Sequence, residues 1–180
     1  LMLGLYKYIE FTPKFECSIE VDPRVTTQEH LVVLRELQFE RISFGIQDFD
    51  LSVQQIVNRV QSFEQVKTLT EQARHLGFKS LNYDLIYGLP LQTLSSIDET
   101  IKKVTQLLPD RIAFYAYAHV PWIKPSHRRF TESDLPTGEV KRALYEHGRN
   151  LLELAGYVEI GMDHFALPSD SLWDAVEQQT

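Results

Sequence analysis

The stretch that decides the fold is RISFGIQD, residues 41–48. Its middle is apolar, as in a buried strand, and it ends abruptly in the polar pair Gln47 and Asp48. A segment of helical period follows at residues 63–76 and stops at Gly77, a residue type that ends helices well. This strand followed by a helix predicts one βα unit.

The same alternation recurs on both sides of this unit. The other strand-like runs are residues 17–21, 80–86, 111–117 and 157–161, with helical segments between them. Strands that alternate with helices predict an α/β fold with a parallel sheet of about five βα units. Because a complete eight-unit barrel needs about 250 residues, five units predict an arc of a partial TIM-type barrel.

Composition excludes several classes of protein. The 180 residues are 43% hydrophobic, which is enough for a packed core, and their formal net charge of -7 gives nucleic acid no overall attraction. No apolar run approaches the ~18 residues that cross a bilayer, and no signal-like leader is present, so we expect a cytoplasmic protein without a membrane span. A single cysteine, Cys17, cannot supply the ligands of a zinc or iron–sulfur site, so no metal site is predicted within the chain.

Both ends of the sequence suggest a piece of something longer. The chain begins LMLGLY without an initiator methionine or a capping residue, and the helix start at Pro168, Ser169 and Asp170 has no stop signal after it. We therefore expect residues 1–180 to form one incomplete domain that is cut at both ends.

Polar side chains fall at or just after the carboxyl ends of all five strand-like runs. These ends share one rim of a parallel sheet, where βα barrels and open sheets bind ligands. One such residue alone would more often solvate a loop or cap a helix, but five strands together favour a site. The residues are Glu20, Gln47 with Asp48, Asp84, His119, and Asp163 with His164.

The residue types at this rim suit a nucleoside joined to an amino acid. Glu20 and Asp84 can accept hydrogen bonds from ribose hydroxyls or pair with an ammonium group, and Gln47 can both donate and accept. Arg59 offers a planar fork for a carboxylate. The alternative for Arg59 is an exposed helix residue that pairs with a nearby acid.

Six blocks of this sequence resemble those of a known family. They are SIEVDPR (18–24), SFGIQDF (43–49), VNR (57–59), DLIYGLPLQT (84–93), YAHVP (117–121) and IGMDHFA (160–166). In one register across residues 15–170 they are similar to the oxygen-independent coproporphyrinogen III oxidases, which are radical S-adenosylmethionine enzymes of haem biosynthesis. The related haem chaperones share the GIQ and GLP blocks, whereas YAHVP and GMDHFA resemble the oxidases.

The resemblance implies a reaction, its cofactors and a set of site residues. A reduced four-iron four-sulfur cluster cleaves S-adenosylmethionine, and the 5'-deoxyadenosyl radical starts the oxidative decarboxylation of two propionates of coproporphyrinogen III, giving protoporphyrinogen IX. An electron donor is an implied partner. Matching motifs assign cofactor binding to Glu20, Gln47, Arg59, Asp84 and the backbone of Ala118, and no catalytic residue is assigned.

Arg128 or Arg129 is expected to receive a propionate of the substrate, because four propionates need cationic or donor partners. Asp163 and His164 are also expected to contact the substrate. In the family the cluster-binding CxxxCxxC loop precedes the matched region and a further domain follows it. The chain is therefore expected to be the C-terminal portion of the radical S-adenosylmethionine barrel domain, without cluster ligands and inactive alone. The alternatives are a non-catalytic haem chaperone or porphyrin-binding relative, and a generic α/β domain whose rim acids are incidental.

Overall fold

The computed structural model describes residues 2–12, 15–123 and 129–178. The strands are β1 (Ser18–Val21), β2 (Arg41–Gln47), β3 (Ser80–Tyr87), β4 (Arg111–Ala116), β5 (Val158–Gly161) and β6 (His164–Ala166). The helices are α1 (Met2–Leu5), α2 (Gln28–Glu36), α3 (Leu51–Ile56), α4 (Phe63–His75), α5 (Leu94–Leu107), α6 (Gly138–Leu154) and α7 (Ser171–Glu177), with a 3₁₀ turn at Glu132–Asp134. Helices and strands alternate as the sequence pattern predicted.

One sheet organises the described part of the chain, in the order β1-β2-β3-β4-β6-β5. Strands β1 to β4 pair in parallel, each with its sequence neighbour. This arrangement confirms the α/β class and is consistent with an arc of a TIM-type barrel. The carboxyl ends of these four strands therefore lie at one rim.

The fifth unit differs from the expectation of a parallel strand beside β4. A tight turn at Met162 and Asp163 reverses the chain after β5, and β6 pairs antiparallel with both β4 and β5. β6 thus lies between β4 and β5. The expected five parallel strands are four parallel strands and an antiparallel hairpin.

Local sequence signals set the helix ends. The Ser62 hydroxyl accepts the Gln65 N–H at the start of α4, and Gly77 ends this helix with a φ of 81°. Thr93 and Ser96 form a capping box at the start of α5. Asp170 caps α7, so the expected helix start at residues 168–170 is confirmed.

The core lies between the sheet and its helices. Alternate strand residues such as Phe44, Tyr83, Leu85 and Ile112 are fully buried against them, together with apolar positions of the helices. The remaining strand positions point to the opposite, concave face, which we call the lumen face. Because the helices bury one face of every parallel strand, the polar residues of these strands are left on the lumen face.

Candidate functional site

The lumen face carries a groove of about 400 Å³. Its polar lining comes from β1, β2, β3, β4 and β6 and from the segment before β1: Glu16, Ser18, Glu20, Arg41, Ser43, Ser80, Asn82, Arg111 and His164. One group of polar residues lies near the amino ends of the strands, and a second lies near their carboxyl ends. Register places Gly45, Asp84, Ala113 and His164 side by side towards the carboxyl ends of the strands.

Asp84 lies at the centre of the carboxyl end. Its Oδ2 accepts the Ser43 hydroxyl at 2.7 Å and its Oδ1 accepts the Asn82 amide at 2.8 Å. Burial raises the pKa of the Asp84 carboxyl above its ordinary value, and these hydrogen bonds, with nearby His164 and Arg59, only partly offset the increase. The carboxylate is thus held in place but is not neutralised by a contacting cation among the residues described.

Arg59 does not belong to a helix, because α3 ends at Ile56 and Asn58 adopts a positive φ of 57°. Its Nη2 donates to the Gly45 carbonyl at 2.9 Å, and its Nη1 lies 3.3 Å from the Asp22 carboxylate. Its Nε is buried and has no hydrogen-bond partner within the described ranges. The alternative prediction, that Arg59 is an exposed helix residue, is wrong. Its predicted pairing with a nearby acid is confirmed by the contact with Asp22.

Gln47 ends β2 with a φ of 67°. The pairing of β2 with β3 shifts register between Gly45 and Gln47, so the strand bends there. A Cβ added to Gly45 would lie 2.9 Å from the Gln47 Nε2 and 2.7 Å from the Arg59 Nη2. Glycine at position 45 therefore leaves room for the Gln47 amide and the Arg59 guanidinium beside the same backbone position.

Ala118 is exposed two residues beyond β4. The preceding carbonyl, that of Tyr117, accepts the Lys141 ammonium at 2.7 Å, and the Tyr117 N–H donates to the Tyr87 carbonyl at 2.8 Å. Lys141 crosses Gly88 so closely that a Cβ at that glycine would lie 2.7 Å from its Cε. A lysine from α6 thus fixes the backbone next to Ala118.

Asp163 and His164 reach the site through the hairpin rather than through a fifth parallel strand. The Asp163 carbonyl accepts the Phe114 N–H at 2.8 Å, and His164 lies opposite Ala113. The His164 Nδ1 lies 2.7 Å from the Met162 carbonyl, which can only accept, so Nδ1 carries a proton. In neutral His164, Nε2 then accepts the Tyr115 hydroxyl at 3.1 Å.

Carboxylates dominate the electrostatics of this end of the groove. Burial raises the pKa of Tyr115, and the charges of Asp84, Asp163 and Glu20 add to the increase. Glu20 lies opposite Ser43 in the register of β1 and β2. The resulting field suits a cationic ligand better than an anionic one.

The predicted substrate loop lies only partly within the described residues. Arg129 is exposed, and Arg128 lies outside the described residues.

Cys17 is free and half-buried, and the described ranges bring no three His, Cys, Asp or Glu side chains together around a metal position. Within these ranges, no helix is long and apolar enough to cross a membrane.

Comparison with known proteins decides the family. The sequence profile of the Radical SAM superfamily matches residues 2–104. This chain belongs to the radical SAM superfamily. Its fold also matches at low identity: the archaeal Methanocaldococcus infernus Elp3 covers 74% of the chain with a TM-score of 0.64 at 15% identity.

More similar radical SAM relatives carry a specific name. The chain is 45% identical over 168 residues to an oxygen-independent coproporphyrinogen III oxidase of Helicobacter pylori strain J99, and 47% identical over 157 residues to one of Synechocystis. The solved structure of the Escherichia coli coproporphyrinogen III oxidase covers 98% of the chain with a TM-score of 0.93 and 43% identity. The chain spans 37%, 34% and 41% of these three proteins, and 93% and 87% of it match the first two.

Several residues of this candidate site were missed by sequence reasoning. Ser43 and Asn82 alternate with apolar residues along their strands, a period of two that assigns them to the lumen face. Asp22 lies in the SIEVDPR block, but nothing local pairs it with Arg59. Tyr115 and Lys141 carry no such signal, because their contacts come from distant parts of the chain.

Proposed function

We propose that this chain is part of a cytoplasmic oxygen-independent coproporphyrinogen III oxidase of haem biosynthesis, which uses S-adenosylmethionine and a four-iron four-sulfur cluster. The observation that carries the proposal is 45% identity across 93% of the chain to a protein of that name. The E. coli oxidase, whose fold nearly coincides with this one, is likewise named a radical SAM enzyme. The three proteins that match at 43–47% identity are oxidases by name, so the haem-chaperone alternative is not favoured.

The described residues fit S-adenosylmethionine, which has a cationic sulfonium, an ammonium, a carboxylate and ribose hydroxyls. Glu20 and Asp84 offer carboxylates to the cationic and hydroxyl groups. The buried Arg59 Nε and Asn82 Oδ1 have no partner among the described residues. The Arg59 Nε–H can donate to an acceptor of the ligand, and the Asn82 Oδ1 can accept from a donor. An unpaired donor and an unpaired acceptor beside an acidic groove support the binding of S-adenosylmethionine, which carries both positive groups and a carboxylate.

The chain does not fit the iron–sulfur cluster, because it contains one cysteine and such clusters take several thiolates. We therefore assign no residue of this chain to the cluster. When bound in the complete enzyme, the cluster and S-adenosylmethionine would together supply hydrogen-atom abstraction from the substrate. The electron donor that the reaction requires is also outside these residues.

The role we propose for this chain is to bind and orient. Arg59 holds the carboxylate of the methionine moiety, while Asp84 and Gln47 hold polar groups of the nucleoside. Glu20 and the backbone of Ala118 complete the cofactor contacts. The carboxyl ends of the strands thereby fix the cofactor relative to the substrate, so that abstraction occurs at a propionate side chain.

Coproporphyrinogen III carries four propionates, and we assign a propionate to Arg128 or Arg129. Asp163 and His164 are proposed as further substrate contacts. His164 supports this assignment because its side chain lies on the lumen face beside Tyr115. Replacing Arg128 and Arg129 by Ala should raise the KM for coproporphyrinogen III and leave uncoupled cofactor cleavage intact. Unchanged kcat and KM would remove both arginines from the substrate site.

The test of the function is anaerobic turnover by the complete, cluster-loaded enzyme. We expect S-adenosylmethionine-dependent conversion of coproporphyrinogen III to protoporphyrinogen IX and release of carbon dioxide. Stable retention of haem without turnover would instead assign the protein to the haem chaperones. Absence of any S-adenosylmethionine binding would leave only a generic α/β domain.

A further inference from the structure

The turn that ends β2 has a conformation that costs free energy. The Asp48 N–H donates to the Ile46 carbonyl at 2.9 Å, and Gln47 between them has a φ of 67°. This bond around a positive φ marks the rarer, strained kind of γ-turn. A side chain such as that of Gln47 adopts this backbone only where its surroundings hold it there.

The turn also separates two neighbouring side chains. Gln47 folds over Gly45, where its amide and the Arg59 guanidinium both lie within 3 Å of the position that a Cβ on Gly45 would take. Asp48, the next residue, is buried with 1% of its surface exposed. The strained turn therefore delivers an amide to the cofactor side of the sheet and a carboxylate to the interior.

Three side chains form what we call the Asp48 clamp: Asp48, Gln92 and Thr100. The Asp48 carboxylate accepts the Gln92 Nε2 at 2.6 Å and the Thr100 hydroxyl at 2.9 Å. It also accepts the Asp50 N–H at 2.6 Å. All three members of the clamp are buried, so these bonds are shielded from water.

The clamp connects the turn to the next βα unit. The Gln92 Nε2 also donates to the Ile86 carbonyl at 2.7 Å, at the end of β3. Thr100 lies in the middle of α5, and its hydroxyl accepts the Phe49 N–H at 3.1 Å. The position of the turn is thus set by β3 and α5, not by β2 alone.

Two buried glutamines hold the carbonyls of the turn. The Gln61 Nε2 donates to the Ile46 carbonyl at 2.5 Å, and the Gln54 Nε2 donates to the Asp48 carbonyl at 2.8 Å. Both glutamines are buried. The turn is therefore bonded from both sides, as a strained segment requires.

The charge of Asp48 is not explained by stability. Burial raises the pKa of Asp48, and the bonds from Gln92, Asp50 and Thr100 only partly offset this increase. A carboxyl with a raised pKa stabilises the fold below its ordinary titration range, and this contribution is lost as the pH rises through the raised pKa. The bonds of this buried carboxyl to Gln92, Thr100 and the Asp50 N–H surround the turn, which points to a role in holding it.

We propose that Asp48, Gln92 and Thr100 are positioning residues, which hold Gln47 in its strained turn and thereby set the affinity of the pocket for S-adenosylmethionine. The affinity part of this inference rests on the proposed function, since it takes Gln47 as a cofactor contact. The holding of the turn does not depend on any ligand.

The first test compares two buried threonines in the complete, cluster-loaded enzyme. Thr100→Val removes the clamp hydroxyl, and Thr70→Val removes an equally buried hydroxyl that contacts Tyr83 away from the turn. Calorimetric titration with S-adenosylmethionine should show affinity about fivefold weaker for Thr100→Val, the equivalent of one neutral hydrogen bond. Thr70→Val and the conservative Thr100→Ser should keep wild-type affinity.

Repeating the Thr100→Val replacement in a Gln47→Gly protein distinguishes a positioning role of Thr100 from a general loss of structure. Gln47→Gly removes both the side-chain amide and the strain, so the clamp has nothing left to position. Thr100→Val should then cause no further loss of affinity in the Gln47→Gly protein. An equal loss in both backgrounds, an equal loss in Thr70→Val, or no loss in the wild-type background would each overturn the proposal.

A measurement without ligand tests the clamp if the proposed function fails. Hydrogen exchange at the Asp48 amide reports the bond to the Ile46 carbonyl directly. Thr100→Val should speed this exchange in the ligand-free enzyme, and Thr70→Val should leave it unchanged. If neither the wild type nor any variant binds S-adenosylmethionine, only the proposed function is refuted. If hydrogen exchange at the Asp48 amide is unchanged in Thr100→Val, the clamp is refuted.

Discussion

The two ends of the parallel strands carry similar residue types that serve different purposes. The lower cluster, at the amino ends of the strands, comprises Glu16, Arg41, Ser80, Arg111 and Asp170. The upper cluster, at the carboxyl ends, comprises Glu20, Gln47, Arg59, Asp84 and His164. The lower cluster pairs its charges within the chain, whereas the upper cluster keeps Asp84 without a contacting cation and leaves the Arg59 Nε unpartnered among the described residues.

Two aspartates, the buried Asp170 and the half-buried Asp84, show the difference most directly. Although burial alone would raise the pKa of Asp170, bonds from Arg111, the Leu172 N–H and Ser80 hold it below its ordinary value. The pKa of Asp84 is raised by burial, because its partners do not offset the loss of water. A charge that is satisfied internally stabilises the fold, while one that is left unsatisfied is available to a ligand.

The largest effect should come from breaking the lower cluster at Asp170. Its Oδ1 lies 2.6 Å from the Arg111 Nη2 and also caps α7, and its side chain is 3% exposed. Asp170→Ala should lower the free energy of unfolding by roughly 3 kcal/mol, because it leaves a largely buried arginine unpaired. Urea denaturation measures this loss, and a loss below that of an exposed ion pair would contradict the role of the lower cluster in stability.

Arg59→Lys should have the next largest effect, on binding instead of stability. A lysine ammonium cannot reproduce the planar fork, so the affinity for S-adenosylmethionine should fall by roughly 1.5 kcal/mol, about tenfold. Equilibrium titration of the complete, cluster-loaded enzyme measures it. Arg24→Lys is the matched control, because Arg24 also pairs with Asp22 but does not contact Gly45. Unchanged affinity in Arg59→Lys would remove Arg59 from the pocket.

Asp84→Asn should not lower the free energy of unfolding at neutral pH, unlike the replacement of an aspartate whose pKa is lowered by its partners. Because its folded-state pKa is raised, Asp84 stabilises the fold below its ordinary value of 3.8, and this contribution is lost as the pH rises through the raised pKa. The asparagine variant should therefore be at least as stable as wild type at neutral pH, yet bind S-adenosylmethionine more weakly. Unfolding measured from acidic to neutral pH checks the sign, and a marked destabilisation at neutral pH would contradict it.

The smallest effect should come from the exposed edge of the lower cluster. Glu16 contacts Arg41 through two bonds of 2.9 and 3.0 Å, but its side chain is 61% exposed. Glu16→Gln should cost about 0.5 kcal/mol or less, and added salt should reduce the difference further. Comparison with Asp170→Ala under the same conditions shows whether burial decides the strength of the lower cluster.

The sequence predicted much of the fold because its signals are local. Strand and helix periods repeat between neighbouring residues, and caps such as Thr93 and Asp170 act within one turn. The rim residues Glu20, Gln47 and Asp84 could be named because parallel strands always bring their carboxyl ends together. These features required no knowledge of which distant side chains meet.

Tertiary structure alone decided the antiparallel hairpin and the partners of the site. β6 lies between β4 and β5, which brings His164 level with Asp84 although the sequence predicted a fifth parallel strand. The pairing of Arg111 with Asp170 and the Asp48 clamp likewise join residues far apart in the chain. Sequence periodicity determines which face of an element is buried, but strand order and side-chain partners follow from packing of the whole sheet against its helices.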